Sequence, residues 1–67
     1  METGRIKKLM KDRGFGFITA SDGKEVFFHR SECTGVDFAS LEQGQQVDFE
    51  LEIVPKGPRA RKVSRQG

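Results

Sequence analysis

Two short segments of the chain carry apolar side chains on both faces of an extended strand. Successive side chains of a strand point to opposite faces. Phe15 and Phe17 therefore share one face of the first segment, and Ile18 points to the other. In the second segment, Val-Phe-Phe-His at 26–29, a phenylalanine and the histidine share one face, and the valine and the other phenylalanine share the opposite face. A small protein has one core to fill, so one face of each segment is predicted to lie outside it.

The alternation of apolar and polar residues, interrupted by glycine, proline and aspartate, predicts five strands and no real helix. The clearest strand is 46–54, with four apolar side chains on one face and three carboxylates on the other. The polar stretch 34–45 has little periodicity and is predicted to be a loop. The predicted strands are 4–11, 15–19, 25–30, 46–54 and 59–64.

Two local features refine the strand prediction. Strict alternation does not put Ile6 and Leu9 on one face, so a bulge or strong twist is expected in the first strand. A three-residue loop at 21–23, with its glycine in the left-handed conformation, sets Phe17 opposite Phe27. A two-residue loop would put the faces out of register. We therefore predict the three-residue loop, which keeps rings beside rings and aliphatic side chains beside aliphatic ones.

Five short strands with glycine- and proline-rich turns favour an all-β barrel or sandwich. Closure into a barrel removes the exposed edges that would otherwise aggregate. At 67 residues the chain is long enough for one domain, predicted as residues 1–67. The candidate core comprises Ile6, Leu9, Ile18, Val26, Phe28, Cys33, Leu41, Val47, Phe49, Leu51 and Val63.

Composition excludes several kinds of site. A single cysteine, Cys33, allows no intrachain disulfide, and with a single histidine, His29, it cannot form a tetrahedral zinc site. No second histidine or activated nucleophile accompanies His29, so neither catalysis nor a cofactor is expected. There is no apolar run long enough for a bilayer and no targeting segment, which makes the cytoplasm the expected compartment.

The net charge of +2 conceals a division along the chain. Residues 1–30 carry seven basic and four acidic side chains, residues 31–54 carry six acidic and no basic ones, and residues 55–67 carry five basic and no acidic ones. If the two basic ends meet, the fold has a positive face suited to a polyanion. The alternative is an ordinary solvated surface.

Once the candidate core is filled, a group of rings remains on the outer face of the second and third strands. Such a group risks aggregation and rarely persists without a use. Rings that stack bases, among cations that contact phosphates, are typical of proteins that bind single-stranded nucleic acid. The outer rings are Phe15, Phe17, Phe27 and His29, and the cations expected around them are Lys7, Lys8, Lys11, Arg13 and Arg30.

Two segments carry a family resemblance. Residues 13–18, Arg-Gly-Phe-Gly-Phe-Ile, resemble the first ribonucleoprotein motif of cold shock domains, and residues 26–29 resemble the second. The similarity continues at positions 37–38, 41, 44–45, 47, 49 and 57–58. The resemblance implies a five-stranded antiparallel barrel of the oligonucleotide-binding (OB) type. It also implies binding of single-stranded RNA and DNA with little sequence preference, and a role in melting RNA secondary structure.

The resemblance also assigns positions. Base stacking in that family falls on the positions occupied here by Phe15, Phe17, Phe27, His29 and Phe38. Phosphate or base-edge contacts fall on Lys7, Arg13 and Lys56.

Two departures from the family pattern replace stacking surfaces with cations. The family usually has Lys-Trp-Phe-Asn where this chain has Lys-Lys-Leu-Met at 7–10, so Lys8 stands in place of a tryptophan. Arg30 stands in place of an aromatic residue after the motif histidine. An arginine can still stack through its guanidinium plane, whereas a lysine acts on phosphates. The basic tail adds Arg59, Arg61, Lys62 and Arg65, of which the first two are included in the expected site and the last two are equally explained as solvated charges.

Three residues keep two interpretations each. His29 is expected to stack or hydrogen-bond a base, the alternative being a surface histidine. Phe38 is expected to stack a base as a lid, the alternative being a plug over the barrel end. Cys33 is expected to be a small buried hydrophobe, the alternative being a redox role. Just before it, Ser31 is suited to cap a single helical turn.

The sequence therefore predicts a monomeric protein that binds single-stranded RNA and DNA, without a small-molecule substrate or a membrane. An RNA chaperone or a regulator of transcription or translation fits this activity. The alternative is a small β-barrel interaction module that uses the aromatic patch to dock a protein or to dimerise. Both faces of the aromatic strands cannot be buried in 67 residues unless the protein dimerises through the rings.

Overall fold

The alternating segments of the sequence form the strands of a closed β-barrel. The computed structural model describes residues 1–65, so residues 66 and 67 of the expected domain lie outside the described residues. In residues 1–65 the strands are β1 (Glu2–Met10), β2 (Phe15–Ala20), β3 (Glu25–His29), β4 (Cys33–Gly35), β5 (Gln46–Val54) and β6 (Gly57–Arg65). The five predicted strands are confirmed, with ends that differ by up to two residues. The short strand β4 was not predicted.

The strand order is β3-β2-β1-β5-β6, and β3 pairs with β6 to close the barrel. The closing pair, Phe27 with Arg59, is parallel. β4 also pairs with β6 in parallel, Cys33 beside Val63. The prediction of a five-stranded OB barrel is confirmed, but the strands are not all antiparallel. The reason is that β3 and β6 are not joined by a hairpin, so the barrel can close with both strands running the same way.

The β2–β3 hairpin has the predicted register. Phe17 lies opposite Phe27, and Gly16 lies opposite Phe28. The Ala20 amide donates to the Lys24 carbonyl at 2.8 Å, which leaves the three residues 21–23 in the loop. The loop glycine has a φ of +90°, a conformation that other residues rarely adopt. The three-residue loop is therefore confirmed, and with it the separation of the two faces.

The predicted irregularity in β1 is a bulge at Lys7. Ile6 lies opposite Ile18, but Lys8 already lies opposite Phe17, so the register shifts by one residue between them. The bulge returns Leu9 to the inner side, where it packs against the core. It also turns Lys8 toward the outer face.

The core contains most of the predicted residues. Ile6, Ile18, Val26, Phe28, Leu41, Val47, Phe49 and Val63 are buried, and Leu9 and Cys33 pack against them half-buried. Phe38 and Ala60 were not expected in the core and are buried as well. Leu51 was expected in the core and is 42% exposed.

The exposure of Leu51 follows from the lengths of the strands. β1 pairs with β5 only over residues 46–49, from Arg5 beside Gln46 to Glu2 beside Phe49. Beyond Phe49, β5 pairs with β6 alone, so β1 no longer lies beside it. The alternation of apolar residues continues into this part of β5, where Ile53 is 71% exposed. Alternation therefore predicts the face of these residues but not their burial.

Gly16 allows the backbone of β1 and a core ring to approach β2 closely. A Cβ at Gly16 would lie 2.7 Å from the Lys8 carbonyl oxygen and 2.9 Å from a ring carbon of Phe28. The glycine therefore makes room for the neighbouring strand and for the core ring. Gly14 is likewise covered by the protein itself, since a Cβ there would lie 2.9 Å from Cδ of Arg30.

We expect Gly16→Ala to lower the free energy of unfolding by about 1–3 kcal/mol, because the added methyl group overpacks a site bounded by backbone. Thermal unfolding followed by circular dichroism should show a melting temperature at least about 5 °C lower. Ser21→Ala, in the exposed hairpin loop, serves as the control and should change stability by no more than about 0.5 kcal/mol. An unchanged melting temperature for Gly16→Ala would show that the site has spare room.

Candidate nucleic-acid interface

Three phenylalanine rings form a cluster on the outer face of the β2–β3 hairpin. The ring centroids of Phe15 and Phe27 are 5.6 Å apart, those of Phe17 and Phe27 are 5.8 Å apart, and those of Phe15 and Phe17 are 6.0 Å apart. All three rings are half-buried, packed edge-on or tilted against one another. We call Phe15, Phe17 and Phe27 the aromatic platform. The alternating register places it opposite the core rings, as predicted.

β1 adds two side chains beside the platform. Lys8 lies opposite Phe17, and Met10 lies opposite Phe15. Lys8 is exposed, and Met10 is half-buried. Met10 was not predicted to belong to this surface. The bulge at Lys7 determines which side of β1 Met10 faces. The predicted bulge would therefore have been enough to place Met10 on this surface.

A groove lies between the platform and the turn end of the β5–β6 hairpin. Its walls come from both hairpins, and its volume is about 530 Å³. Lys56 and Arg59, both expected at the site, lie along it. Val54 and Pro58 also line it, although they were not singled out for the site. Val54 could have been identified from the sequence, because its position two residues after Glu52 places it on the face of β5 that carries the charged side chains.

The cations expected around the platform differ in what holds them. Lys7 forms an exposed ion pair with Glu25. Lys11 donates from Nζ to the Ala39 carbonyl at 3.0 Å. Exposed pairs and surface hydrogen bonds of this kind contribute little to stability, so they can be exchanged for a ligand. All five of these cations, and Lys56 of the expected site, lie exposed at the surface: Lys7, Lys8, Lys11, Arg13, Arg30 and Lys56.

Arg59 and Arg61 are held more firmly, by one carboxylate. Arg59 donates from Nη2 to Oε1 of Glu52 at 2.7 Å, and Arg61 donates from Nη1 to Oε2 at 3.2 Å. Arg61 Nε also lies 3.6 Å from Oε1 of Glu32. The hydrogen bond to Glu52 and the charges of both carboxylates raise the pKa of Arg61, so its positive charge is secure. We call these four residues the ion-pair cluster.

His29 is exposed at the end of β3 and caps the turn that follows. Its Nδ1 accepts a hydrogen bond from the Ser31 amide at 3.1 Å. His29, rather than the predicted Ser31, is therefore the N-cap of the 3-10 turn Arg30–Glu32. An imidazole that accepts at Nδ1 carries its proton on Nε2, which is a donor.

Phe38 lies in the core. Its side chain is 9% exposed, and its ring centroid is 5.9 Å from that of Phe28. The expected stacking role would need an exposed ring, so the alternative interpretation, a plug over the barrel end, describes this structure. The 3-10 turn Phe38–Ser40, capped by Asp37, directs the ring inward.

Cys33 is half-buried against the core. Burial, with smaller contributions from the charges of Asp37 and Glu32, raises its pKa to about 11. The thiol is therefore protonated at neutral pH and is a poor nucleophile. Within residues 1–65 no group of three or more histidine, cysteine, aspartate or glutamate side chains could hold a metal ion. No helix in the same residues is long and apolar enough to cross a membrane.

A closed barrel with an aromatic platform on its outer face, a groove beside it and cations around both defines a protein of the small OB-fold class. Comparison with known proteins narrows the class. The model of the family described as "'Cold-shock' DNA-binding domain" matches residues 2–66. The chain belongs to this family, whose members bind nucleic acids.

Relatives from several bacteria resemble the chain over nearly its whole length. The cold shock-like protein CspE of Bacillus anthracis is 46% identical over 61 residues, which cover 91% of each chain. The cold shock-like protein CspLB of Listeria monocytogenes is 42% identical over 65 residues, covering 97% of this chain and 98% of that protein. The probable cold shock protein A of Mycobacterium tuberculosis is 44% identical over 64 residues, covering 94% and 96%.

Proposed function

We propose that this protein binds single-stranded RNA and DNA by stacking bases on the aromatic platform and contacting phosphates with the surrounding cations. The observation that carries the proposal is the cluster of three rings, 5.6–6.0 Å apart, on the face of the hairpin opposite the core. The core is complete without these rings. Each stacked base contributes roughly 1–3 kcal/mol, and any base can stack, so little sequence preference is expected.

The surroundings of the platform suit an unpaired strand. The groove beside Phe17 and Phe27 can receive a further base or sugar, with Lys56 and Arg59 at its edge. His29 offers an Nε2 donor next to Phe15, its cross-strand neighbour. A duplex keeps its bases stacked on one another and cannot use such a surface. A protein that prefers unpaired bases shifts RNA away from its folded forms, which supports a role as an RNA chaperone or as a regulator of transcription or translation.

The protein is proposed to act as a cytoplasmic monomer, without catalysis or a cofactor. The proposed site comprises Lys7, Lys8, Lys11, Arg13, Phe15, Phe17, Phe27, His29, Arg30, Lys56, Arg59 and Arg61. Phe38 could join it only by leaving the core, so we do not include it.

Binding is expected to depend strongly on salt, because cations stand where family members have aromatic residues. Each phosphate neutralised on a single strand contributes about −0.7 to the slope of log K against log salt. About four to six contacts would give a slope of about −3 to −4. The measurement is fluorescence anisotropy with labelled oligo-dT and oligo-U at several salt concentrations, since the chain has no tryptophan or tyrosine. A slope shallower than about −1 would contradict a site in which contacts between cations and phosphates dominate binding.

The matched variants for this titration are Lys8→Gln and Lys24→Gln. Both remove one exposed positive charge, but only Lys8 lies beside the platform. Lys8→Gln should make the slope shallower by about 0.7, and Lys24→Gln, next to the hairpin loop, should leave it nearly unchanged. Equal effects of the two variants would indicate that net charge alone determines binding. Concentration-dependent dimerisation in sedimentation, with no binding of either oligonucleotide, would instead favour the interaction module.

A further inference from the structure

The ion-pair cluster lies on the same face as the aromatic platform. Glu52 is the cross-strand partner of Arg59. Arg59 is in turn the partner of Phe27 across the closing pair of the barrel. Val54, two residues after Glu52 and therefore on its face of β5, lines the groove together with Phe27. A carboxylate thus stands beside the surface on which the proposed function places a polyanion.

The cluster is less accessible to water than an ordinary surface ion pair. The side chains of Glu52 and Arg59 are 34% and 39% exposed. Those of Glu50 and Lys62, an ion pair on the same two strands, are 51% and 61% exposed, and their charged atoms are 3.9 Å apart rather than 2.7 Å. Attraction between charges grows as water is excluded and as the distance falls. The attraction between Arg59 and Glu52 is therefore stronger than that of the outer pair.

The cluster also has no net charge. Two guanidinium groups face two carboxylates, so a phosphate that approaches meets no uncompensated positive charge there. Counterion release, which dominates the affinity for nucleic acid, comes from cations that lack an internal partner. Arg59 and Arg61 would contribute only after Glu52 is displaced.

The arrangement is not optimal for Arg59. Its Nε is buried and has no hydrogen-bond partner within residues 1–65. A donor left unsatisfied in this way makes the held position less favourable than a fully bonded one. A phosphate could therefore replace the carboxylate, but it must compete with it.

We propose that Glu52 limits the affinity of this protein for nucleic acid. It holds Arg59 and Arg61 in an internal ion-pair cluster, and a phosphate of the bound strand obtains these arginines only by displacing the carboxylate. The inference rests on the proposed function, because it concerns the same surface. It also changes the description of the site, because Arg59 and Arg61 are not available to a phosphate while Glu52 binds them.

The test is Glu52→Gln, which keeps the size of the side chain and removes its charge. Anisotropy with labelled oligo-dT at 0.1 M salt should show an affinity about fivefold higher than that of the wild type. One additional phosphate contact changes log K by about 0.7 for each tenfold change in salt, so its contribution at 0.1 M relative to 1 M salt is about fivefold. The slope of log K against log salt should steepen by about 0.7. Glu52→Thr, which suits a strand, should give the same result and replaces the first variant if that variant folds poorly.

Two controls separate the ion-pair cluster from a general effect of charge. Glu50→Gln changes the net charge equally on the same strand but removes the longer, more exposed ion pair with Lys62, and should raise affinity by less than about twofold. Where Arg59 and Arg61 are both replaced by Gln, adding Glu52→Gln should raise affinity no further. A gain from Glu52→Gln that survives the loss of both arginines, or an equal gain in Glu50→Gln, would overturn the proposal.

The failure of this inference is distinguishable from the failure of the proposed function. If wild-type protein binds oligo-dT and folded Glu52→Gln binds no more tightly, only the role of Glu52 is wrong. If neither protein binds oligo-dT or oligo-U, the proposed function fails and the role of Glu52 fails with it.

Discussion

Phe28→Ala is expected to leave little of the protein folded. Phe28 is fully buried, its ring packs against that of Phe38 at a centroid distance of 5.9 Å, and Gly16 lies directly against it. Truncating a buried phenylalanine costs about 3–5 kcal/mol, from lost burial and from the cavity that remains. The core of so small a protein rarely supplies more than about that amount. Urea titration followed by far-ultraviolet circular dichroism measures the loss.

The neighbouring ring provides the control for this prediction. Phe27 is one residue away on the same strand, faces outward and is half-buried. Phe27→Ala should therefore cost much less stability than Phe28→Ala, and its melting transition should remain cooperative. If the two substitutions destabilised the protein equally, Phe27 would belong to the core and the platform would not exist.

Phe27→Ala is expected to have the largest effect on binding. Phe27 lies within 6 Å of both other platform rings, at centroid distances of 5.6 Å to Phe15 and 5.8 Å to Phe17, and it also borders the groove. Its loss removes a stacking surface worth roughly 1–3 kcal/mol, which lowers affinity about fivefold to 150-fold. Anisotropy with oligo-dT at constant salt measures the change. Phe15→Ala and Phe17→Ala should weaken binding in the same direction.

Ile53→Ala is the matched control for the binding experiment. Ile53 is an exposed apolar side chain, 71% accessible, and it does not line the groove. Its truncation removes apolar surface without removing a stacking ring and should leave affinity unchanged. Wild-type affinity in Phe27→Ala would contradict the stacking mechanism, and an equal loss in Ile53→Ala would indicate a nonspecific apolar contribution.

The division of the rings between core and surface could be predicted from the sequence because it depends on whether the hairpin loop has an odd or an even number of residues. Side chains alternate strictly in a short hairpin, so the length of one loop decides whether Phe17 faces Phe27 or Phe28. Only one loop length satisfied both strands, and Gly23 supplied the conformation it needs. The bulge in β1 followed from the same reasoning, since Ile6 and Leu9 could not both face inward without it.

Burial at the ends of strands could not be predicted in this way. Leu51 alternates correctly, but its exposure depends on where β1 stops pairing with β5, which is a property of another strand. Ala60 is buried although its cross-strand partner Leu51 is exposed, and a small side chain gives little signal of its own. Phe38 lies in a segment with no periodicity, so nothing in the pattern chose between lid and plug.

The ion-pair cluster escaped prediction for a related reason. The sequence places Glu52 only on the face of its strand that carries Asp48 and Glu50, because alternation reports only which residues share a face. The neighbours of that face depend on the pairing of β5 with β6 and on the parallel closure beside β3. Charges that are distant in sequence, such as Glu32 and Arg61, meet only after closure.

The barrel closes where Phe27 meets Arg59, directly beneath the surface proposed to hold the ligand. A nucleic-acid strand bound to Phe17, Phe27 and Lys56 would cross the junction between β3 and β6 and would contact both of these β-strands. Ligand binding and the stability of the closed barrel would then be thermodynamically linked, since a ligand that binds only the closed barrel stabilises it. The junction between β3 and β6 that completes the fold would then be stabilised by the bound strand.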